Sequence, residues 1–599
     1  MTTAVVRRLY LYAAALLGLQ VLAAGARGLL TSALEPLVVA APLGDAAATA
    51  FRLSLNIALI VVGLPLWALH WWLAQRAARD PDEQRARLRR LYAYLVLAIA
   101  MLGGLIALAS LLGTLLAGVA AAGADAQVAA AIGALIVHGA VGAYHWRVFS
   151  ADRALVEQAG GTATLRRWYM VVALAASLAV ASIAAINLLR DLVLRAASIT
   201  LGDTPGLALA LGPMIAGLVF WLPHQLWWRR LVRVPSPLHD DEARSVLRQV
   251  YTALVITITV VATLGGLTSL LYYLLMAAFG GAAWPGLLAD QAQPLAIVLV
   301  AAPLWLYHRA QLGHEARLSA LPARMAIARR LIGYLTAAVG LVALFFGLGG
   351  LLGTLLRLAL APAMLGTGWR EPLSIYLALT TIALPVYGST AYALERLAGT
   401  ALNEARALAR RIYLYAALLF GIGATITALV QLLRLALGVL LGAQADGVAA
   451  EIGRWLGYTL IGAAIVAYHA LLVRRAGTAR AGLGAGLSIA VIAAEPLRQA
   501  LLAAIAREAP GATIRLLDTA GDPAADRLQG ADLVIAPLAE ALSAPGAQAI
   551  HAFAGRRLLL ATATPGYELI GARHGDEALT RELARTLRAT LGDAPADVR

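Results

Sequence analysis

Runs of twenty or more mostly apolar residues recur along this chain up to about residue 473 and then stop. A run of ~20 such residues matches the ~30 Å hydrocarbon core of a bilayer. Inside lipid the chain must satisfy its own backbone N–H and C=O groups, which leaves helices and closed barrels. The runs lack the period-two alternation of barrel strands, so they read as helices. Composition agrees: 61% of the 599 residues are hydrophobic and 14% are charged, against about 25% charged in a soluble domain. Too little polar surface remains to cover a water-soluble globule of this size. The expectation is an all-α polytopic membrane bundle of about twelve transmembrane helices.

The chain has no cysteine, which excludes disulfides, thiolate metal sites and thiol catalysis. Its formal charge is +15, and all the basic residues are Arg. They sit in short clusters between apolar runs, as membrane orientation requires, so no nucleic-acid partner is expected. The bilayer itself is the expected partner.

Cutting the chain at its Arg-plus-Tyr openings exposes a repeat. Arg7-Arg8-Leu9-Tyr10, Arg89-Arg90-Leu91-Tyr92, Arg166-Arg167-Trp168-Tyr169 and Arg410-Arg411-Ile412-Tyr413 each begin a long apolar segment. Arg248-Gln249-Val250-Tyr251 and the looser Arg329-Arg330…Tyr334 complete the set. The units are bounded at about 1–86, 87–163, 164–243, 244–326, 327–405 and 406–486. Each holds two apolar segments around a turn such as Gly44-Asp45, Gly202-Asp203-Thr204-Pro205 or Ala361-Pro362. Leu102-Gly103-Gly104-Leu105, Leu264-Gly265-Gly266-Leu267 and Leu348-Gly349-Gly350-Leu351 recur in first segments, and Leu-Leu-Gly-Thr-Leu-Leu occurs at 111–116 and 351–356. Small residues let membrane helices approach closely, so these read as packing seams.

The second segments also end alike. Pro65-Leu66-Trp67-Ala68-Leu69-His70 matches Pro303-Leu304-Trp305-Leu306-Tyr307-His308, and Trp221 and His224 keep the same spacing. His145 and His469 follow Tyr at the equivalent point of the second and sixth units, and the fifth has Pro385-Val386-Tyr387 with Thr390 where His is expected. This unit, with its Arg-Leu-Tyr opening, Gly-Gly middle and Pro-x-Trp-x-x-His close, resembles a bacterial membrane repeat family catalogued only as a domain of unknown function. The resemblance covers roughly residues 1–480 and is clearest at Trp67, His70, Trp71, Trp72, Gln75 and Arg76 and at Trp305, His308 and Arg309. It implies a multi-pass membrane protein and carries no activity.

Orientation follows from Arg asymmetry. The connections between units carry Arg76, Arg79, Arg85 and Arg87, then Arg147 and Arg153, then Arg229, Arg230 and Arg233, then Arg309, Arg317 and Arg324. Turns within units carry few bases and the acids Asp45, Asp125, Asp203 and Asp290. The positive-inside rule puts the Arg-rich side, and with an even number of spans both termini, in the cytoplasm of a bacterial inner membrane. The first segment has two Arg before an apolar run, like a signal peptide, but it matches the later units and is expected to be retained.

The recurring imidazoles are the sharpest chemical feature. His70, His145, His224, His308 and His469 suit haem or metal ligands or proton carriers. The alternative is that they anchor at the membrane boundary, flanked by the Trp and Tyr of an aromatic belt. His138, seven residues before His145, lies deeper and stands apart. Arg27, Arg190, Asp191, Arg195, Arg357 and Arg434 fall near the far ends of first helices, where a long Arg can snorkel and Asp191 can pair with Arg195 one turn on. The lack of a mid-membrane carboxylate weighs against an ion-coupled carrier, unless helices broken at Pro65, Pro303 or Pro385 supply backbone sites.

After about Gly486 the composition changes, and residues 487–599 read as a cytoplasmic α/β domain. Strands are expected at 488–494, 513–517, 532–536 and 557–561, and helices at 496–508 and 577–591. The alternation predicts a small parallel sheet with helices on its faces. Open sheets of this kind bind ligands at strand ends, which marks Glu495, Asp518, Thr562 and Thr564 by position. No phosphate-binding Gly motif follows a strand. No catalytic constellation, metal site or cofactor is expected. The sequence is read as a non-enzymatic membrane protein whose bundle presents a sensing, scaffolding or regulatory domain. A solute transporter or channel is the alternative, and a haem-carrying electron-transfer protein a weaker one.

Overall fold

The computed structural model describes residues 3–38, 46–118, 124–155, 161–197, 206–233, 242, 245–282, 286–318, 326–360, 368–400, 402–405, 407–441, 447–481, 485–495, 497–517, 528–542, 544–561, 582–584 and 586–587. Among these residues twelve helices are long and apolar enough to cross a membrane. They are α1 (Thr3–Val38), α2 (Ala46–Ala77), α3 (Arg87–Ala117), α4 (Ala124–Leu155), α5 (Gly161–Ala196), α6 (Gly206–Arg233), α7 (Val246–Ala278), α8 (Leu287–Leu318), α9 (Ala326–Leu360), α10 (Arg370–Thr400), α11 (Leu408–Leu440) and α12 (Val448–Ala481). Consecutive pairs are the six hairpins. The turns expected at Gly44-Asp45, Gly202-Asp203-Thr204-Pro205 and Ala361-Pro362 lie outside the described residues. Pro65, Pro303 and Pro385 lie inside helices that continue past them, so the chain is not unwound there.

The structure divides into two compact units, one of residues 1–390 and 438–457, the other of 391–437 and 458–599. In the first, each hairpin closes on itself, and the second helix of a hairpin also lies on the first helix of the hairpin before it. In this way α4 rests on α1, α6 on α3 and α8 on α5. Glycines set the spacing of these crossings. At the α3–α6 crossing a Cβ on Gly212 would stand 2.2 Å from the backbone nitrogen of Gly113. Near the far end of α9 a Cβ on Gly457 would stand 2.4 Å from the nitrogen of Gly353. Gly113 and Gly353 occupy the same place in the two Leu-Leu-Gly-Thr-Leu-Leu segments, so one packing device serves both crossings. The outer faces carry bare apolar side chains such as Val61, Val62, Ile106, Val219 and Ile258, as surfaces meant for lipid should.

The second unit holds the end of α10, most of α11 and α12, and the α/β domain. Strands β1 (Ser488–Ile492), β2 (Thr513–Leu517), β3 (Leu533–Pro537) and β4 (Arg556–Leu560) form a parallel sheet in the order β2-β1-β3-β4. Successive residues of the central strands feed opposite cores, as strand geometry requires. Ile489, Val491, Leu533 and Ile535 pack with Leu501 and Ile505 of α13 (Leu497–Glu508) and with Leu583 and Leu587. Ala490, Ile492, Val534 and Ala536 pack with Ile550 of α15 (Ala544–Ala552) and with Phe553. The short α14 (Leu538–Leu542) follows β3 directly. The helix expected over 577–591 is described only at 582–584 and 586–587, which are helical.

Candidate functional site: tyrosine, histidine and arginine at the Arg-rich helix ends

The Arg and Tyr of each opening lie about one turn apart and so share a helix face. That face looks at the closing segment of the same hairpin, where the recurring His waits. His145 Nδ1 is 2.8 Å from the Val141 carbonyl oxygen, and its Nε2 is 3.2 Å from the Tyr92 hydroxyl. His224 repeats this with Phe220 at 2.7 Å and Tyr169 at 2.9 Å. His70 uses Leu66 at 2.7 Å and Tyr10 at 3.0 Å, and His469 uses Ile465 at 2.9 Å and Tyr413 at 3.5 Å. A carbonyl oxygen only accepts, so Nδ1 carries the hydrogen and Nε2 accepts from the Tyr hydroxyl. In the fourth hairpin His308 Nδ1 keeps its carbonyl, that of Leu304, at 2.8 Å, while His308 Nε2 and the Tyr251 hydroxyl are buried without a hydrogen-bond partner.

The geometry gives the imidazoles structural partners inside their own hairpins. His70, His145, His308 and His469 are buried between helices. Both nitrogens of His70, His145, His224 and His469 are engaged within their own hairpin, which leaves no free lone pair for iron on those four rings. Purified protein is therefore expected to show no Soret absorbance, and a Soret band lost on His145→Ala would contradict this assignment. Among the described residues no three His, Asp or Glu side chains converge to hold a metal ion. The crosslinks themselves are expected to be weak. Interhelical hydrogen bonds in membranes average about 0.6 and reach about 1.7 kcal/mol in double-mutant cycles. A cycle of Tyr169→Phe against His224→Phe should give a coupling in that range, read from denaturation in detergent.

In five of the six hairpins an opening Arg meets a carboxylate that sequence reading did not mark. Arg8 Nε donates to Glu83 at 2.8 Å, and the Tyr12 hydroxyl donates to the other oxygen at 3.1 Å. Arg89 Nε donates to Asp152 at 2.9 Å and its Nη2 to Gln75 at 2.8 Å. Arg166 and Arg167 share Glu242. Arg248 Nη2 donates to Glu315 at 2.6 Å and its Nη1 to the Trp228 carbonyl at 2.8 Å, with the guanidinium 4.6 Å from the Trp228 ring. In the sixth hairpin Arg410 pairs instead with Glu395, at the end of α10. Each acid sits in the last turns of a second helix or just beyond it, within reach of an Arg that starts a first helix. A cation held by a buried carboxylate and an aromatic ring is a clamp on helix ends.

The positions marked in advance are scattered. Glu495 is exposed just past β1, and Asp518, Thr562 and Thr564 lie outside the described residues. Asp191 is held by its neighbour Arg190, at 2.7 and 2.8 Å, not by Arg195. His138 stands apart from the other five. Its ring lies on Gly103, where a Cβ would come within 2.3 Å of it, and it lines a cleft of about 310 Å³ between α1, α3 and α4 together with Arg27, Ser110 and Gln127.

Odd and even hairpins also differ in how they meet. Trp71 of the first donates to the Tyr144 hydroxyl of the second at 2.7 Å, and Trp67 packs edge-on against the same ring. Trp221 of the third packs edge-on against Tyr307 of the fourth in the same way. Trp comes from the odd hairpin and Tyr, just before the His, from the even one, so the natural repeat is a pair of hairpins. Comparison with known families finds the same period. One family model, described as a domain of unknown function (DUF5671), matches residues 8–140, 167–290 and 330–468. Each match opens at an odd hairpin and runs into the even one that follows. No curated protein matches the chain. No solved structure matches it. With more than half of its residues matched by that model, the chain belongs to the DUF5671 family, a domain of unknown function.

Proposed function

We propose that this membrane protein is a non-enzymatic platform that presents its C-terminal α/β domain in the cytoplasm of a bacterial cell for sensing, scaffolding or regulation. The observation that carries the reading is the commitment of the recurring polar groups. The opening Tyr and Arg and the recurring His are used, in most hairpins, to tie helix ends together. That leaves the sheet as the part with a free edge for chemistry. In the parallel order β2-β1-β3-β4 successive strands are added to opposite sides of β1, so the strand order switches between β1 and β3, and the carboxyl ends of strands at such a point form a ligand-binding crevice in open α/β sheets. Glu495 stands at that end of β1. The Arg-rich helix ends face the cytoplasm by the positive-inside rule, and the α/β domain follows them.

A small-solute carrier is the second reading, favoured by the cleft at His138. The two are separated with the full-length protein in lipid nanodiscs and vesicles. Hydrogen exchange with ATP, GTP, NADH or inorganic phosphate as probes should protect residues near 493–497 and 537–539 if the domain senses a small anion. Solute flux through vesicles should match that of empty ones. Flux without protection would move the function into the bundle. Orientation has its own measurement, because a chain without cysteine gives no labelling background. Arg79→Cys should react only with reagent on the cytoplasmic side and Leu37→Cys only from outside; the reverse pattern would overturn the assignment.

A further inference from the structure

We propose that the cleft between α1, α3 and α4 binds the headgroup of an anionic phospholipid, with Arg27 taking the phosphate and His138 an oxygen deeper in the same molecule. The inference does not depend on the platform reading. It rests on a contrast within the molecule. Every other recurring His has its Nδ1 on a backbone carbonyl, yet among the described residues His138 makes no hydrogen bond through either nitrogen. In five hairpins an opening Arg pairs with a carboxylate, yet the Arg27 guanidinium has no hydrogen bond or ion pair among the described residues. Two groups able to donate to an anion thus line one cavity of about 310 Å³ with no acid to answer them.

Charge inside a membrane is costly unless something neutralises it, and a bound anion does so for Arg27. Arg also matches phosphate better than any other side chain, through its planar fork of donors. Ser110 and Gln127 add hydroxyl and amide donors at the mouth. The remaining wall is apolar: Ile106, Ala107, Ala130, Ala131 and Ala134. Ile106 is 68% exposed on the flank of a membrane span, so the cleft opens toward hydrocarbon. A free anion in water has no route that uses this wall, whereas a lipid brings its charge and its acyl chains together. At 1.5 Å per residue His138 lies about 16 Å along α4 from Gln127, so the donors line a groove that runs along the helix as a lipid does. The volume suits a headgroup and the first carbons of its chains, with the rest of the chains lying on the outer helix faces. Gly103 makes the site possible, because any side chain there would drive the His138 ring out of its place.

The test is native mass spectrometry of the full-length protein in mild detergent, titrated with phosphatidylglycerol or with phosphatidylcholine of the same chains. One phosphatidylglycerol should be retained per chain in preference to phosphatidylcholine, and inorganic phosphate at millimolar concentration should not displace it. Arg27→Gln should weaken retention about fivefold, the effect of ~1 kcal/mol per basic residue at an anionic surface. Gly103→Ala, which moves His138 while leaving Arg27 in place, should weaken it as well, so the proposal does not stand on one variant's folding. Arg434→Gln, an exposed cation elsewhere on α11, should change nothing. Equal retention of the two lipids, retention unaffected by both cleft variants, no retained lipid, or displacement by inorganic phosphate would each overturn the proposal.

Discussion

Asp152→Ala is expected to lower the unfolding free energy of the helical region by about 3–5 kcal/mol, the range seen when one partner of a buried ion pair is removed. Arg89 explains the size of the effect. Its side chain is about 1% exposed, and it is wedged 5.8 Å from the Trp71 ring centroid and 5.4 Å from that of Phe149. Its Nη1 already lacks a hydrogen-bond partner. Among the described residues Asp152 is the carboxylate that Arg89 pairs with, and the backbone carbonyl of Asp152 accepts from the neighbouring Arg90. Removing the carboxylate leaves a full charge held by neutral groups alone, Gln75, the Tyr12 hydroxyl and two aromatic faces. It cannot swing out to water without opening the packing of Trp71 and Tyr92, which stack at 5.1 Å. The double variant Arg89→Met with Asp152→Leu should recover much of the loss, because apolar residues of similar volume often replace a buried pair without penalty. The measurement is unfolding of the full-length protein in mixed micelles, single variants against double. A loss below ~1 kcal/mol for Asp152→Ala would mean the pair is solvated like a surface bridge and not a clamp.

These clamps mark the boundary of what sequence alone revealed. The Arg-Tyr openings and the closing His were visible because they recur at nearly fixed spacing. Most of the Arg partners were not seen because they sit 63–76 residues downstream of their bases, and Glu395 lies 15 residues upstream of Arg410. A signal for them exists in retrospect. Glu-Ala-Arg occurs at 242–244, 315–317 and 404–406, where the second helices end. Glu242 and Glu315 of these are clamp acids. Reading that region only for its positive charge hid the acid at the head of the motif. The meaning of the His was also out of reach. Helical spacing puts a His near a helix end, but only the tertiary fold brings the Tyr hydroxyl of the other helix to its Nε2. Period is the third lesson. Two-helix units are legible from the openings, while the pairing of hairpins rests on Trp67, Trp71 and Tyr144, and on Trp221 and Tyr307, which touch only across units. The α/β domain was more transparent, since continuous apolar runs such as Leu533–Ala536 have few alternatives to a buried parallel strand.

Gly212→Leu should break the docking of the third hairpin on the second. A Cβ alone at this position would stand 2.2 Å from Gly113 nitrogen and 2.6 Å from its Cα, and these are backbone atoms that no rotamer change can move aside. The crossing is therefore set by the absence of side chains on both helices. Without a hydrophobic driving force in lipid, helix association depends on such close contact. A single methyl, Gly212→Ala, is expected to cost within the ~1–3 kcal/mol of overpacking in a filled core. Leu cannot be absorbed by a small shift and should separate α6 from α3. Gly217 on the same helix meets α5 at Ala181 and holds the third hairpin to itself, so the hairpin should survive while its docking is lost. Disulfide trapping reads this directly, because the natural chain offers no competing thiol. A Cys pair placed across α3 and α6 should crosslink in the wild-type background and fail in Gly212→Leu, while a pair across α5 and α6 crosslinks in both. Crosslinking of α3 to α6 that persists in Gly212→Leu would show that the two helices meet on another face, and the shared packing at Gly113 and Gly353 would then have no structural meaning.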